Sequence, residues 1–399
     1  MRVLLSFGLL LVTGLAFPAA PTVIVISLDG IRWDLPDQSS LTAFERIERD
    51  GARAERLIPV YPSNTFPGHV SMATGTTPQS HGIIDNQFRD RARGLYAYES
   101  DASWLLSEPL WIAAERQGVK AATYFWVGSE TDWQGQRATY REAPFDGARP
   151  ELTKVARILE WLRLDGAARP GLIMSYFAGV DAVAHRHGAQ SQNVLTQLEV
   201  QDQALTALLE GIDELKLWPQ LSLILVSDHG MTAAGEFIDI VALLEAAGVG
   251  AQSLGVTVAH VYLDDPAQRQ TALEVLARDE RLRVEAGEDA TVAPPSRTGD
   301  IVVHVEPPYV LWRPPGLEGQ AMAMMWKLGW QFGGHGYDPA LTEMGGIFFG
   351  LGRGFEGGAR LPAVHQLQVA PTVARLLGVN PPRGARAEPV ALAPQTTGP

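Results

Sequence analysis

With 399 residues, 46% of them hydrophobic and 19% charged, the chain can bury a large core, which excludes disorder as its default state. Its length suggests two or three units, or one long α/β enzyme. A formal net charge of −13 without a basic run excludes a binder of nucleic-acid duplexes, whose phosphates demand clustered Lys and Arg.

The N-terminus reads Met-Arg and then a stretch without charge from Val3 to Phe17, followed by small residues and prolines. A basic n-region before a short apolar run predicts a secretory signal over residues 1–20, cut near Ala16 or Ala20. The run is shorter than the roughly 20 residues of a spanning helix, so no stable membrane span is expected after cleavage. The chain has no Cys. Disulfides, thiolate metal sites and a Cys nucleophile are excluded, and His and carboxylates remain as the strong ligands. An exported chain without disulfides fits a bacterial periplasm, or a secreted bacterial protein.

Thr22-Val-Ile-Val-Ile-Ser-Leu28 is a β-branched run of the kind buried on both faces of a parallel sheet, and it ends in Asp29-Gly30. That carboxylate stands at a strand's C-terminal end, where open α/β sheets carry their sites. A helical stretch over 41–49 follows. Tyr61-Pro-Ser-Asn-Thr-Phe-Pro-Gly-His69 then leads into a helical-looking run. Thr65 therefore sits where a loop turns into a helix, whose free N–H groups favour a phosphate. Helical patterns over 108–117, 151–164 and 194–215 alternate with extended ones over 120–126 and 171–177, a rhythm that predicts a parallel sheet with helices on both faces. Leu221-Ser-Leu-Ile-Leu-Val226 is a second buried strand and delivers Ser227-Asp-His-Gly-Met231. From residue 251 the texture changes to a small α+β insertion. The core resumes with Gly333-Gly-His-Gly-Tyr-Asp338, a strand over 346–350 and a helix over 369–377. The expected organisation is a catalytic core over 22–250 and 331–385, the insertion over 251–330, and a loose Pro-, Ala- and Gly-rich tail over 386–399.

Four separated stretches carry metal-ligand types: Asp29, the Asp228-His229 pair, Asp181 with His185, and His335. Asp29 and Asp228 each follow a buried strand, so adjacent strand ends would bring them together. Asp181 and His185 are four apart, which puts them on one face of a helical turn. Glycines on both sides of His335 let its backbone pass close to a crowded centre. With Thr65, these residues supply N and O ligands for two ions, and imidazole–carboxylate sets without thiolate suit Zn2+. Two ions about 4 Å apart clamp the attacking and leaving oxygens of an in-line phosphoryl displacement. Coordination makes the alkoxide of Thr65 accessible as a nucleophile.

The blocks resemble the nucleotide pyrophosphatase/phosphodiesterases of the alkaline phosphatase superfamily. They comprise Ser-Leu-Asp-Gly at 27–30, Tyr-Pro-Ser-Asn-Thr-Phe-Pro-Gly-His at 61–69, Thr-Gly at 74–75, His-Gly-Ile-Ile-Asp-Asn at 81–86 and Thr-Tyr-Phe-Trp at 123–126. Asp181 with His185, Ser-Asp-His-Gly-Met at 227–231, Gly-Asp-Ile-Val at 299–302 and Gly-Gly-His-Gly-Tyr-Asp at 333–338 complete the set, in family order. The resemblance implies an alkaline-phosphatase-like α/β core with a mostly parallel central sheet, helices on both faces and the small α+β insertion. It implies two Zn2+ ions, one among Asp29, Thr65, Asp228 and His229, the other among Asp181, His185 and His335. Thr65 would attack phosphorus to give a covalent phosphothreonine, which water at the second ion would hydrolyse. Asn86 and the backbone N–H of Phe66 would donate to a non-bridging phosphate oxygen. Phe66 and Phe145 would hold a nucleobase between their rings, while core packing accounts equally well for Phe145.

Two departures from the family's pattern stand out. The family commonly has Asn at the position of Gly68, and more polar residues around Asp181 than Ala178-Gly-Val and Ala182-Val-Ala, so the leaving-group preference is expected to shift. The expected function is that of a dizinc phosphodiesterase or nucleotide pyrophosphatase, acting on small nucleotides or phosphodiesters and releasing nucleoside 5′-monophosphates. A same-core phosphomonoesterase, phosphonate hydrolase or lipid phosphodiesterase is the alternative. The blocks around Thr65 and Asn86 hold no Lys or Arg for a monoester's extra anionic oxygens, which favours diesters. A catalytically dead metal-binding protein is the reading from another class, and the intact ligand set speaks against it. No protein partner follows from the sequence.

Overall fold

The computed structural model describes residues 20–290, 293–311 and 316–393, so the signal expected over 1–20 lies, except for Ala20, outside the described residues. β1 (Thr22–Leu28) is buried along its whole length, and the pleat sends successive side chains to opposite sides. Val23 and Val25 join one hydrophobic cluster while Ile24, Ile26 and Leu28 join another. Both faces being covered, the strand reads in sequence as an unbroken apolar run.

β1 lies inside an eight-stranded sheet. The other strands are β2 (Ala52–Ala54), β3 (Ala121–Tyr124), β4 (Tyr140–Glu142), β5 (Leu172–Phe177), β6 (Leu221–Val226), β7 (Phe348–Gly352) and β8 (Ala359–Leu361). Their spatial order is β8-β2-β7-β6-β1-β5-β3-β4. The five strands from β6 to β4 are parallel, and β7 is antiparallel to both of its neighbours. α1 (Thr42–Asp50), α3 (Glu151–Leu162) and α5 (Gln192–Leu215) cover one face through Phe44, Ile158 and Leu205. α2 (Thr65–Thr74) and α7 (Val369–Leu377) cover the other through Val70 and Val373. α4 (Gly179–His187) follows β5 directly, and α6 (Gly316–Lys327) packs Trp326 against Gly235. Helices on both faces of a mostly parallel sheet make this an α/β architecture. No described helix is long and apolar enough to cross a membrane.

A second sheet, antiparallel throughout, is built from Ala251–Leu254, Val258–Leu263, Ile301–His304 and Arg283–Ala286 in that spatial order. With the helices Ile240–Ala246 and Arg269–Leu276 it encloses a core of its own around Leu244, Val261, Leu276 and Val303. The excursion closes where Thr232–Ala234 pairs with Phe332–Gly334.

The described part of the C-terminal segment differs from the loose tail expected over 386–399. Val390 is only 3% exposed and sits in the same cluster as Val369 and Val373. Its N–H donates to Thr372 Oγ1 (2.9 Å), and the N–H of Ala393 donates to Gly354 O (3.0 Å). Composition without periodicity reads as loose, yet one apolar anchor with backbone hydrogen bonds suffices to hold an extended segment. Burying a Val side chain stabilises by about 1.5–3 kcal/mol. Deleting residues 386–399 is therefore expected to lower the melting temperature by several degrees in scanning calorimetry, where a truly loose tail would leave it unchanged.

Candidate active site

Three neighbouring strands end at one level. Ser27 of β1 lies opposite Tyr176 of β5 on one side and Val226 of β6 on the other. The chain leaving β6 delivers Asp228 and His229, the chain leaving β1 delivers Asp29, and the chain leaving β5 turns into α4 and delivers Asp181 and His185. Gly30, with φ +72°, makes the exit from β1 possible: a Cβ there would lie 3.0 Å from Asp181 Cα. His335 arrives from the far side of the excursion. Its strand crosses α4 so closely that a Cβ on Gly333 would lie 2.4 Å from Ala184 O.

The side chains form two adjoining groups. In the first, His229 Nε2 lies 3.5 Å from Asp29 Oδ1, 3.3 Å from Asp228 Oδ2 and 3.3 Å from Thr65 Oγ1. In the second, His185 Nε2 lies 3.3 Å from Asp181 Oδ1 and 3.2 Å from His335 Nε2, which is 3.6 Å from the same Asp181 oxygen. The rings of His229 and His335 stack at 3.7 Å and join the groups. Each of these three imidazoles uses Nδ1 on a backbone carbonyl: His229 on Gly230, His185 on Gly333, His335 on Ser63. A carbonyl only accepts, so Nδ1 donates and Nε2 is turned inward, the arrangement by which proteins orient metal-binding histidines.

The donor set fits divalent cations. Asp29 Oδ1, Asp228 Oδ2 and Asp181 Oδ1 are buried without a hydrogen-bond partner, and buried carboxylates are normally paired or bound to metal. Burial, then the charges of Asp228 and Asp181, raise the Asp29 carboxyl well above its usual range. Burial also works to raise Asp181, but His185, His335 and His229 beside it hold it below that range. Burial and the neighbouring His229 push His335 well down. Nitrogen and oxygen lone pairs facing one another at 3.2–3.6 Å repel unless positive charge lies among them.

Thr65 opens α2, and its Oγ1 faces the first group. The N–H of Phe66, expected to reach toward phosphate, instead donates to Asn86 Oδ1 at 2.9 Å. The loop carrying Asn86 thus caps the helix, a role the local sequence around Thr65 does not announce. With Oδ1 engaged, Asn86 keeps Nδ2 as its donor, next to the Tyr98 hydroxyl. Phe145 is 46% exposed, in edge and tilted contact with Phe125 and Tyr176. It is no core residue, and it lines a cavity of about 550 Å3 together with Phe66, Thr65 and Asp29. A second cavity, about 660 Å3, shares Thr65, Tyr98 and Asp181 with the first and extends past His185 and His335.

Two residues at the site were not among the sequence candidates. The Tyr176 hydroxyl donates to Asp29 Oδ2, reaching it from the neighbouring strand, a relation that no local pattern encodes. His69, fully buried, donates from Nδ1 to Thr65 O at 2.7 Å and stands 3.5 Å from Asp228 Oδ2. Its spacing of four from Thr65 on α2 was the available signal.

Residues 23–338 match the family described as type I phosphodiesterase / nucleotide pyrophosphatase. The chain belongs to that family. Mouse ectonucleotide pyrophosphatase/phosphodiesterase family member 1 (Mus musculus) is 33% identical over 219 residues, 53% of this chain and 24% of that protein. An uncharacterized pyrophosphatase/phosphodiesterase of Schizosaccharomyces pombe is 36% identical over 223 residues, 54% of this chain and 46% of that protein. The chain thus spans less than half the length of these relatives. In fold it is similar to human ectonucleotide pyrophosphatase/phosphodiesterase 5, with a TM-score of 0.82 at 23% identity over 94% of this chain and 100% of that one. An inactive form of the murine counterpart in complex with AMP gives 0.82 at 22% identity, with the same coverage. These likenesses identify the fold as alkaline-phosphatase-like.

Within this family member, Gly68 lies against Asp228, where a Cβ would come within 3.1 Å of the Asp228 carbonyl oxygen. Behind the loop, Asp85 is buried and accepts from Asn64 Nδ2 (2.7 Å) and the Asn86 N–H (2.6 Å). Burial outweighs these bonds and raises its carboxyl to about 7. A folded value above the unfolded one, about 3.9, means that this group's stabilising contribution is complete below pH 4 and is lost as pH rises through 7. Urea titrations from pH 4 to 8 should show stability declining over that window in the native protein, and a shallower decline in Asp85→Asn.

Proposed function

We propose that the protein is a phosphodiesterase of nucleotide-type diesters and pyrophosphates that works through Thr65. The observation that carries this reading is Thr65 Oγ1, 3.3 Å from His229 Nε2 at the junction of the two donor groups, with a cavity on each side. Asp29, Asp228 and His229 with Thr65 would hold one divalent cation, and Asp181, His185 and His335 the other; imidazole and carboxylate without thiolate suit Zn2+. Such ions supply Lewis acidity at the attacking and leaving oxygens of an in-line displacement.

The chain's own residues do the rest. Thr65 Oγ forms a bond to phosphorus as the leaving oxygen departs, giving a phosphothreonine and a free alcohol. Water then takes the place of Oγ, and Thr65 regains its hydroxyl as the monophosphate leaves. Asn86 donates from Nδ2 to a non-bridging oxygen as charge develops there. Phe66 and Phe145, on the walls of one cavity, suit the faces of a nucleobase. Among the described residues lining the two cavities Arg186 is the only Lys or Arg, so a monoester's second anionic oxygen finds little cationic support. That favours diesters over a phosphomonoesterase, and the converged ligand set speaks against a dead site.

Thr65→Ala is expected to lower kcat by at least about 10^3, in the range for removing an activated nucleophile, while retaining both metals by elemental analysis. Full activity in that variant would sink the covalent route. Chelation should abolish turnover and Zn2+ restore it, and kcat/KM for bis-p-nitrophenyl phosphate should exceed that for p-nitrophenyl phosphate.

A further inference from the structure

The larger cavity has two unlike ends. At the reacting end are Thr65, Asn86 and the Asp181–His185–His335 group; beyond them the walls are Ala234, Phe237, Val256, Val310, Met322 and Phe332. Met322 comes from α6, which lies against the core closely enough that a Cβ on Gly235 would meet the Trp326 ring at 2.3 Å. Among the described residues Arg186 is the only Lys or Arg on these walls, and its Nε–H donates to Ala182 O at 3.1 Å. The size, about 660 Å3, is that of an ordinary small-molecule site.

We propose that this aliphatic cavity receives the departing arm of the substrate and selects diesters whose departing alcohol is uncharged and aliphatic over those whose departing arm is a second phosphate. The inference rests on the reading of Thr65 as nucleophile. In an in-line displacement the attacking and leaving oxygens lie on opposite sides of phosphorus. Attack by Thr65, beside His229, directs the leaving oxygen toward Asp181, His185 and His335. His185 and His335 line the aliphatic cavity alone, Asp181 borders both, and Asp29, Phe66 and Phe145 line the aromatic one. The two arms of a diester are sorted accordingly. A charged phosphate in this cavity would lose its water to walls that beyond the reacting end are mostly hydrocarbon, with Thr257 and Arg186 as their polar side chains, in a chain of net charge −13. An alkyl arm gains from the same walls, by roughly fourfold per fully buried methylene, the equivalent of about 0.8 kcal/mol.

The test compares the methyl and octyl esters of one nucleoside 5′-monophosphate with the corresponding nucleoside diphosphate. Calorimetric binding to the Zn2+-loaded Thr65→Ala protein should favour the octyl over the methyl ester at least tenfold, with the diphosphate no tighter than the methyl ester. The same octyl-to-methyl advantage is expected in kcat/KM of the native enzyme, since the two alcohols differ little as leaving groups. Adding Val256→Asp, at a rim position 44% exposed, should cut the ratio severalfold. Equal binding of the two esters, tighter binding of the diphosphate than of the octyl ester, or an octyl advantage untouched by Val256→Asp would each overturn the assignment. Absence of any bis-p-nitrophenyl phosphate turnover in the native enzyme would instead sink the reading of Thr65, and the binding comparison would still report on the cavity alone.

Discussion

Three buried carboxylate oxygens without a hydrogen-bond partner, on Asp29, Asp228 and Asp181, are gathered in two adjoining groups around the inward nitrogens of three imidazoles. Everything else in the structure answers to that concentration of lone pairs. A folded chain cannot hold such a set together without positive charge. The parallel strands fix where the carboxylates emerge, the backbone carbonyls fix which imidazole nitrogen points inward, and the Tyr176 hydroxyl occupies the one Asp29 oxygen that faces away. The arrangement is over-determined by the scaffold. A geometry held from so many sides lets a site attract cations strongly without collapsing around them.

Much of this was legible in the sequence, and for identifiable reasons. β1 and β6 begin and end where their runs of uncharged, mostly apolar residues begin and end, because strands covered on both faces admit only small polar residues such as Ser27 and Ser222. Asp29 and Asp228 follow from those ends, and the Asp181–His185 spacing follows from helical periodicity. What local patterns miss is contact across the sheet or between loops. Tyr176 acts on Asp29 only through the register of neighbouring strands, and Asn86 caps α2 from a separate loop. His69 was in view but without a role, since a helix-internal His reads as core. Phe145 was ambiguous because aromatic slots and core aromatics share a composition, and its exposure decides the matter.

The two cavities divide the site's labour. One set of walls is aromatic and close to the Asp29 end; the other is mostly apolar and supplied by the paired segments at Ala234 and Phe332, by Phe237 and Val310, by the turn at Val256 and by Met322 of α6. The converged carboxylates and imidazoles emerge beyond the strand ends of the large sheet, with His335 the one reached only after the excursion. Chemistry and selectivity are thereby built on different parts of the chain.

The stacked pair His229 and His335, with the pairing of Thr232 opposite Gly334 just beyond, also acts as a clasp on the chain. Everything between those two histidines is a loop whose ends are pinned at the reacting centre. The entropy of closing such a loop grows only with the logarithm of its length, about 0.6 kcal/mol for each doubling. Residues can be added to or exchanged within the excursion at little thermodynamic cost to the clasp. The segment that shapes the aliphatic walls is thus free to be rewritten, while the ligands at its two ends stay where the large sheet put them.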